Sequence, residues 1–400
     1  MHTQGHYIVN NKIYLDKITA VLEAQKNLSD ISWDYYSDTF SKYNWEVEPT
    51  SSLDELYKVR AQQIRDQYEY VIVLVSGGPD STNMVKSFLN NGIHIDEIVA
   101  GHAESGLSKW QHNDKDRNVT NTISETKYAQ YPLLNEIATN FPHIKITLND
   151  YFEDILKFKS DEWLLNSGDW ISPVNTKGKL DKFKHITDLA EQGKRIGVCW
   201  GLDKPIVRYS KGGDVYALLS DKAVNVARPS FYTPYPNVDR VLFYWSPSLP
   251  ELIIKGAHVV AKYIHQKENL WITQVVRDLG NLNVKEASSD IGMFGLPVMW
   301  DPSKPSPKGE YQRAIVPCLY PTTWNNAFQC SKSSGTFMGL NNDWFYKLHK
   351  DTSAYQLIDS DFRNFYKSLN PKYLHPSKNG FKQFNQFYKL GHYTKFMGNA

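Results

Sequence analysis

One segment of the 400-residue chain constrains the fold more than any other: an apolar run, a glycine-rich turn and a helical pattern follow each other between residues 70 and 92. The apolar run, Tyr70–Val75, is uncharged and rich in β-branched residues, which is typical of a strand buried on both faces of a parallel sheet. After the turn, apolar residues recur at helical spacing until an Asn-Gly pair that stops the helix. These apolar residues are Met84, Val85, Phe88 and Leu89. The strand–turn–helix unit predicts an α/β fold built on a parallel sheet.

The turn itself, Ser76–Thr82 (SGGPDST), has the residues of an anion-binding site. Gly77 and Gly78 let the backbone fold tightly and bring N–H groups close to a ligand. Ser81 and Thr82 fall in the first turn of the helix, where the backbone carries a partial positive charge. The sequence therefore predicts that this turn cradles an anion.

Asp80 distinguishes the turn from two common phosphate-binding loops. The pattern GxxxxGK[ST] requires a lysine and GxGxxG requires a third glycine, and this segment has neither. A carboxylate inside an anion cradle repels phosphate unless a divalent cation lies between the two. The turn therefore suits a polyphosphate complexed with Mg²⁺, with Asp80 as a metal ligand. The alternative is a plain glycine-rich turn between a strand and a helix.

The hexapeptide from Ser76 to Ser81, SGGPDS, resembles the SGGxDS signature of the PP-loop, or N-type ATP pyrophosphatase, superfamily. This resemblance implies an adenine nucleotide alpha-hydrolase-like fold that splits ATP into AMP and pyrophosphate and passes the AMP to a substrate oxygen. It also implies that ATP and Mg²⁺ are the cofactors and that the turn holds the pyrophosphate end of ATP.

A second strand is predicted at residues 95–100, and Gly101 and His102 follow it directly. Ligands of open parallel sheets bind beyond the carboxyl ends of the strands, so this turn should face the same crevice as the SGGPDST turn. The resemblance implies that adenine lies against the backbone here, which makes Gly101 and His102 nucleotide-binding residues. From the residues alone, the His102 side chain is either substrate-facing or part of an ordinary loop.

A third strand end supplies two more candidate site residues. The apolar run at residues 196–200 ends in the turn WGLDKP, which contains Asp203 and Lys204. In the family that the chain resembles, a later strand commonly ends in a glycine-containing turn with an acidic residue near the phosphates. Asp203 is accordingly a second candidate for Mg²⁺ or substrate positioning, and Lys204 for phosphate charge. The alternative is that Asp203 forms the turn through its own backbone bonding.

Lys255 is the last catalytic candidate. It lies on an amphipathic helix that Pro250 begins, within residues 243–266. Its ammonium either reaches a leaving pyrophosphate or AMP, or is solvated as helix lysines usually are.

These elements predict a parallel sheet with helices on both faces, with two flanking regions. A nucleotide-binding domain at residues 68–265 follows a helical N-terminal segment, 1–67, and precedes an α-rich C-terminal region, 266–400. Further predicted elements are a helix at 131–139 and a strand at 144–148, and helical or mixed pieces at 13–23, 33–45 and 53–67.

Composition narrows the class of protein. No apolar stretch is long enough to span a membrane, and no N-terminal signal pattern is present, so we expect a cytoplasmic protein with no membrane partner. The three cysteines, Cys199, Cys318 and Cys330, form no CxxC pair, which argues against a disulfide framework or a zinc site. The net charge of +2 gives no electrostatic case for nucleic acid. A homo-oligomer is compatible with the sequence.

The functional hypothesis is an ATP-dependent adenylating enzyme with Asp80, Asp203, Lys204 and Lys255 as catalytic residues. It would transfer AMP to a carboxylate, amide or carbonyl oxygen of a small molecule or a nucleic-acid base, for attack by a nitrogen or sulfur nucleophile. A PAPS-reductase-like sulfonucleotide enzyme is one alternative, although the C-terminal cysteine motif of such enzymes is absent. A non-catalytic nucleotide-binding protein is the other.

Overall fold

The computed structural model describes residues 5–15, 17–102, 126–150, 180–202, 204–210, 212–221, 235–265, 318–320, 322 and 385–397. The strands are β1 (His6–Val9), β2 (Lys12–Tyr14), β3 (Ser32–Asp34), β4 (Tyr70–Val75), β5 (Glu97–His102), β6 (Lys145–Asp150), β7 (Ile196–Trp200), β8 (Ile206–Tyr209), β9 (Asp214–Leu218), β10 (Val238–Leu242) and β11 (Tyr388–His392). The helices are α1 (Lys17–Asn27), α2 (Ser37–Phe40), α3 (Leu53–Gln67), α4 (Pro79–Leu89), α5 (Tyr131–Asn140), α6 (Lys184–Glu191) and α7 (Pro250–Ile264), with a π-helical turn at Thr126–Gln130 and a 3-10 turn at Tyr393–Lys395.

The centre of the protein is a five-stranded, all-parallel sheet with the order β10-β7-β4-β5-β6. This confirms the predicted α/β fold with a parallel sheet. The chain passes from β4 outward to β5 and β6, and then crosses to β7 and β10 on the other side of β4. The direction of winding therefore reverses between β4 and β7. The carboxyl ends of these two strands form the topological switch point at which open α/β sheets bind ligands.

The strand that precedes the SGGPDST turn is buried as its sequence predicts. In β4 all residues after Tyr70 are buried, and α4 packs against both β4 and α3. Strands β5 and β6 extend two residues further than the sequence indicates, because their pairing continues to His102 opposite Asp150. An apolar run does not predict these last two residues of each strand, because the strands end in polar residues such as His102 and Asp150.

The prediction of a helical N-terminal segment is wrong in part. Helices α1 and α3 are present, but β1, β2 and β3 form an antiparallel sheet of order β2-β1-β3. These strands are three or four residues long, which is too short for a clear period-two pattern. Helix α3 has the predicted bounds because Ser52 and Glu55 form a reciprocal capping box. Val59 of this helix is 44% exposed.

A third sheet, antiparallel and of order β11-β9-β8, includes a strand from the C-terminal region. Most of the region at 266–400, expected to be α-rich, lies outside the described residues. Its described part contributes β11 and the short segment 318–320. Within the described ranges, every helix is too short or too polar to cross a bilayer.

Candidate functional site

The SGGPDST turn has the backbone that its glycines allow. Gly77 has φ +80°, and a Cβ atom there would lie 2.5 Å from the backbone nitrogen of Gln130. Only glycine therefore fits, both for its backbone angle and for its close approach to Gln130. Helix α4 begins at Pro79, with Gly78 as an N-cap that has no side chain to bond the first N–H groups. The N-terminus of α4 thus opens at the carboxyl end of β4.

Two serines shape the turn from within. The Ser76 backbone N–H donates to Ser81 Oγ at 3.3 Å, and Ser81 Oγ donates to the Gly78 carbonyl at 3.1 Å. The Gly78 N–H donates to Ser76 Oγ at 3.2 Å. Thr82, one position along α4, is 8% exposed, and its hydroxyl has no hydrogen-bond partner in the described part of the chain. The serines predicted to bind a ligand therefore also fix the conformation of the turn.

The turn after β7 meets this first turn at the topological switch point. A Cβ atom at Gly201 would lie 3.0 Å from backbone atoms of Asp80 and Ser81, so the two turns pack backbone to backbone. Three residues on, Lys204 Nζ lies 2.6 Å from Asp80 Oδ1 and 2.5 Å from Oδ2. The structure thus brings together two residues that the sequence assigned to one crevice from separate strand ends.

Three side chains donate hydrogen bonds to Asp80. Lys204 is 5% exposed and Asp80 is 23% exposed, so the ion pair is largely shielded from water. The hydroxyl of Tyr320 also donates to Asp80 Oδ1, and the hydroxyl of Tyr244 donates to the Asp80 backbone carbonyl at 2.7 Å. Both carboxylate oxygens of Asp80 are therefore occupied by donors from this chain.

A layer of three tyrosines, Tyr57, Tyr244 and Tyr320, supports Asp80. Their ring centroids lie 5.8–6.1 Å apart. Burial, followed by the negative charge of Asp80, raises the pKa of Tyr244 and of Tyr320 well above its usual value of 10. Their hydroxyls consequently stay protonated and act as donors at neutral pH.

Buried Arg60 holds the end of β10 in place for this layer. From α3, its Nε donates to the Phe243 carbonyl at 3.2 Å and its Nη2 donates to the Leu242 carbonyl at 3.1 Å. The next residue is Tyr244, whose hydroxyl reaches Asp80. Helix α3 and strand β10 therefore fix the position of the tyrosine layer under the site.

Sequence reasoning missed Gln130, which ends the π-helical turn. Its Nε2 donates to the Val75 carbonyl at 2.8 Å and to the Gly101 carbonyl at 3.0 Å, across the carboxyl ends of β4 and β5. Because both partners only accept, the amide nitrogen must face them. Oε1 is buried and has no hydrogen-bond partner among the described residues. No local pattern in the sequence marks this residue, although π-helical turns are frequent at functional sites.

Gly101 and His102 lie where the sequence predicts, at the end of β5 and beside β4. Gly101 provides a carbonyl to Gln130, and His102 Nδ1 lies 3.9 Å from Asp150 Oδ2 at the end of β6. These contacts belong to the same carboxyl edge of the sheet as the SGGPDST turn.

The described contacts of Lys255 are with the segment before α3 and not with the SGGPDST turn. Its Nζ lies 2.9 Å from Glu48 Oε1 and 3.0 Å from the Pro49 carbonyl, so it ties α7 to the segment before α3. Asp203 and Cys330 lie outside the described residues. Cys199 is buried in β7, and burial raises the pKa of its thiol to about 12, so it is not a nucleophile at neutral pH. Burial also raises the pKa of Cys318.

The family resemblance implies a Mg²⁺ ion beside Asp80. Within the described ranges, no three His, Cys, Asp or Glu side chains group in a way that could hold a metal ion. Mg²⁺ usually binds to one or two carboxylates and takes its other ligands from substrate phosphates and water. Asp80 fits a metal that arrives with a polyphosphate, provided that Lys204 gives up a carboxylate oxygen.

No protein-family model, curated protein or solved structure matches this chain. The likeness to the PP-loop superfamily therefore rests on the SGGPDS segment alone.

Proposed function

We propose that the protein is an ATP-dependent adenylating enzyme of the PP-loop type. The observation that carries this proposal is the contact of Lys204 with Asp80 at the switch point between β4 and β7. This contact places the buried ammonium of Lys204 beside the N-terminus of α4 and the SGGPDST turn. Groups of these kinds bind phosphates in many proteins, which supports the proposal.

In the proposed reaction a substrate oxygen attacks the α-phosphorus of ATP, and the bond from that phosphorus to the bridging oxygen breaks. Pyrophosphate leaves with the bonding electrons, and the substrate carries AMP. Bound Mg²⁺ would neutralise charge on the departing phosphates. Asp80 would hold that ion, while Lys204 and the first turn of α4 orient and stabilise the pyrophosphate.

The acceptor belongs to a broad class: a carboxylate, amide or carbonyl oxygen, on a small molecule or on a nucleic-acid base. A nitrogen or sulfur nucleophile would then displace AMP. A second candidate function is nucleotide binding without chemistry. It is favoured by the occupation of both Asp80 oxygens by Lys204 and Tyr320, which leaves no oxygen for a metal unless a donor moves.

Product analysis with labelled ATP tests the proposal. The protein is incubated with ATP, Mg²⁺ and a deproteinised metabolite extract as the source of acceptors, and the products are separated by chromatography. We expect AMP and pyrophosphate from the wild type and a large loss for Asp80→Asn. Asp221→Asn is the matched control, because it removes the carboxylate of another buried Asp–Lys pair, Asp221–Lys17 at 2.9 Å.

The products separate the candidates. Release of ADP and phosphate would contradict adenylation. Binding of ATP with no cleavage in any extract would favour the non-catalytic function. Equal loss in Asp80→Asn and Asp221→Asn would show that the effect comes from stability and not from the site.

A further inference from the structure

Tyr320 reaches the site from a part of the chain remote from the SGGPDST turn. It is separated from Asp80 by 240 positions, and its hydroxyl donates to Asp80 Oδ1. Two further bonds hold its segment on α3. Tyr57 donates to the Leu319 carbonyl at 2.8 Å, and Thr322 donates to Asp54 at 3.0 Å. Tyr320 is therefore anchored independently of its contact with Asp80.

The two donors on the Asp80 carboxylate differ in what they can do. Lys204 contacts both oxygens and carries a positive charge on an unbranched four-carbon stem. Tyr320 contacts only Oδ1, is neutral, and has a ring that is 2% exposed and packed against Tyr57 and Tyr244. A polyphosphate attracts the positive charge of Lys204, whereas the packing of its ring holds the Tyr320 hydroxyl at Oδ1.

We propose that Tyr320 is a positioning residue for the nucleotide site. It would keep Oδ1 of Asp80 bonded when Lys204 moves to the phosphates, which would leave Oδ2 to hold the metal ion that accompanies them. This inference rests on the proposed function, because it requires that Asp80 bind a metal–nucleotide complex. It assigns a role in that site to the C-terminal region, from which no site residue was predicted.

The consequence is a change in how strongly nucleotide binding depends on the metal. Without the hydroxyl, the Asp80 carboxylate loses a charge-assisted hydrogen bond and rotates more freely when Lys204 leaves it. Such a bond to a charged group is typically worth about tenfold in an equilibrium constant. Nucleotide affinity with Mg²⁺ should fall, whereas affinity without Mg²⁺, which does not use the metal–Asp80 contact, should change little.

The measurement is isothermal titration of ATP into the full chain, with excess Mg²⁺ and with EDTA. The dissociation constant in EDTA divided by the dissociation constant with Mg²⁺ gives the metal dependence of binding. We expect Tyr320→Phe to lower this ratio about tenfold relative to the wild type. Tyr7→Phe is the matched control. It also removes a buried tyrosine hydroxyl that donates to the carboxylate of a buried Asp–Lys pair, but this pair is Asp221–Lys17. Its ratio should equal that of the wild type.

A double-mutant cycle tests whether Tyr320 acts through Asp80. In an Asp80→Asn background, Tyr320→Phe should change the ratio no further. Tyr320→Leu provides a second variant if Tyr320→Phe does not give folded protein, and it should lower the ratio by at least as much.

The outcomes separate this inference from the function on which it rests. A wild type that binds ATP with Mg²⁺, together with an unchanged ratio in Tyr320→Phe, overturns the role of Tyr320 and leaves the proposed function standing. An equal fall in Tyr7→Phe overturns it as well, because the effect then comes from lost stability and not from the loss of a bond to Asp80. A wild type that does not bind ATP overturns the proposed function and this inference together.

Discussion

Replacing Asp80 by asparagine tests both the architecture of the site and its chemistry. The substitution keeps the shape of the side chain and an oxygen that can accept from Tyr320, but it removes the charge that faces Lys204. Lys204 is 5% exposed, so its ammonium is left in a poorly hydrated place without its carboxylate. We expect a loss of stability in addition to a loss of ATP cleavage.

The magnitude follows from the geometry of the pair. Two unit charges about 3 Å apart attract by about 5 kcal/mol at an effective dielectric constant of about 20. Desolvation of the lysine and the residual exposure of Asp80 offset part of this attraction, and removing one partner of a well-buried pair typically costs 3–5 kcal/mol. Because Asp80 is 23% exposed, we expect Asp80→Asn to lower the free energy of unfolding by about 2–3 kcal/mol.

A double-mutant cycle with Lys204→Met isolates the pair. Methionine matches the apolar stem of lysine and carries no charge, so the double variant leaves no uncompensated ion. We expect it to be more stable than Asp80→Asn alone, with a coupling energy of about 2 kcal/mol from urea unfolding. Release of pyrophosphate should fall about a hundredfold or more in each single variant, and should not recover in the double variant.

Two results would refute this reasoning. Additive stability changes would show that Asp80 and Lys204 are not coupled in the folded protein. Recovery of stability together with near-wild-type pyrophosphate release in any variant lacking Asp80 would show that the carboxylate takes no part in the chemistry.

Three further predictions concern the SGGPDST turn, strand β7 and helix α7. Gly77→Ala should lower the free energy of unfolding by about 2–5 kcal/mol, because it combines backbone strain with a clash against Gln130. Gly193→Ala is the control, because Gly193 has φ +79° and open space around it. In urea unfolding this control should lose only about 1–2 kcal/mol. Cys199 should resist iodoacetamide at pH 8 in the native protein and react in urea, because its pKa is about 12; mass spectrometry that finds it labelled in the native state would count against its burial. Burial lowers the pKa of His258, so the folded protein binds fewer protons there than the unfolded chain, and stability should decline as the pH falls below about 6.5. Urea unfolding between pH 7.5 and 5 should show a shallower decline in His258→Gln, and an identical decline would contradict the assignment.

The sequence allows the centre of the fold to be predicted because its signals there are local. Strands β4 and β7 are apolar runs that end in glycine turns, and α4 carries its own helical spacing and stop. The small antiparallel sheets escape prediction for the opposite reason. Strand β2 has three residues and none of them is buried, and β11 pairs with β9 from far along the chain.

The same distinction applies to the site. Asp80 and Lys204 could be predicted because each follows a recognisable strand, and parallel strands share a carboxyl edge. Gln130 and Tyr320 could not, since their roles come from contacts with Val75 and Asp80 that are distant in the sequence. A polar residue whose role depends on tertiary contacts gives no periodic pattern in the sequence around it.

The long separation between Asp80 and Tyr320 also sets an order of events on the ribosome. At typical elongation rates, the 240 positions between them take roughly 12–48 s to synthesise. Asp80 and Lys204 are both translated well before Tyr320. For that interval a nascent chain can have a folded parallel sheet and a paired Asp80–Lys204, yet lack the third member of the cluster. A ribosome stalled before codon 320 should therefore display a sheet without a finished site.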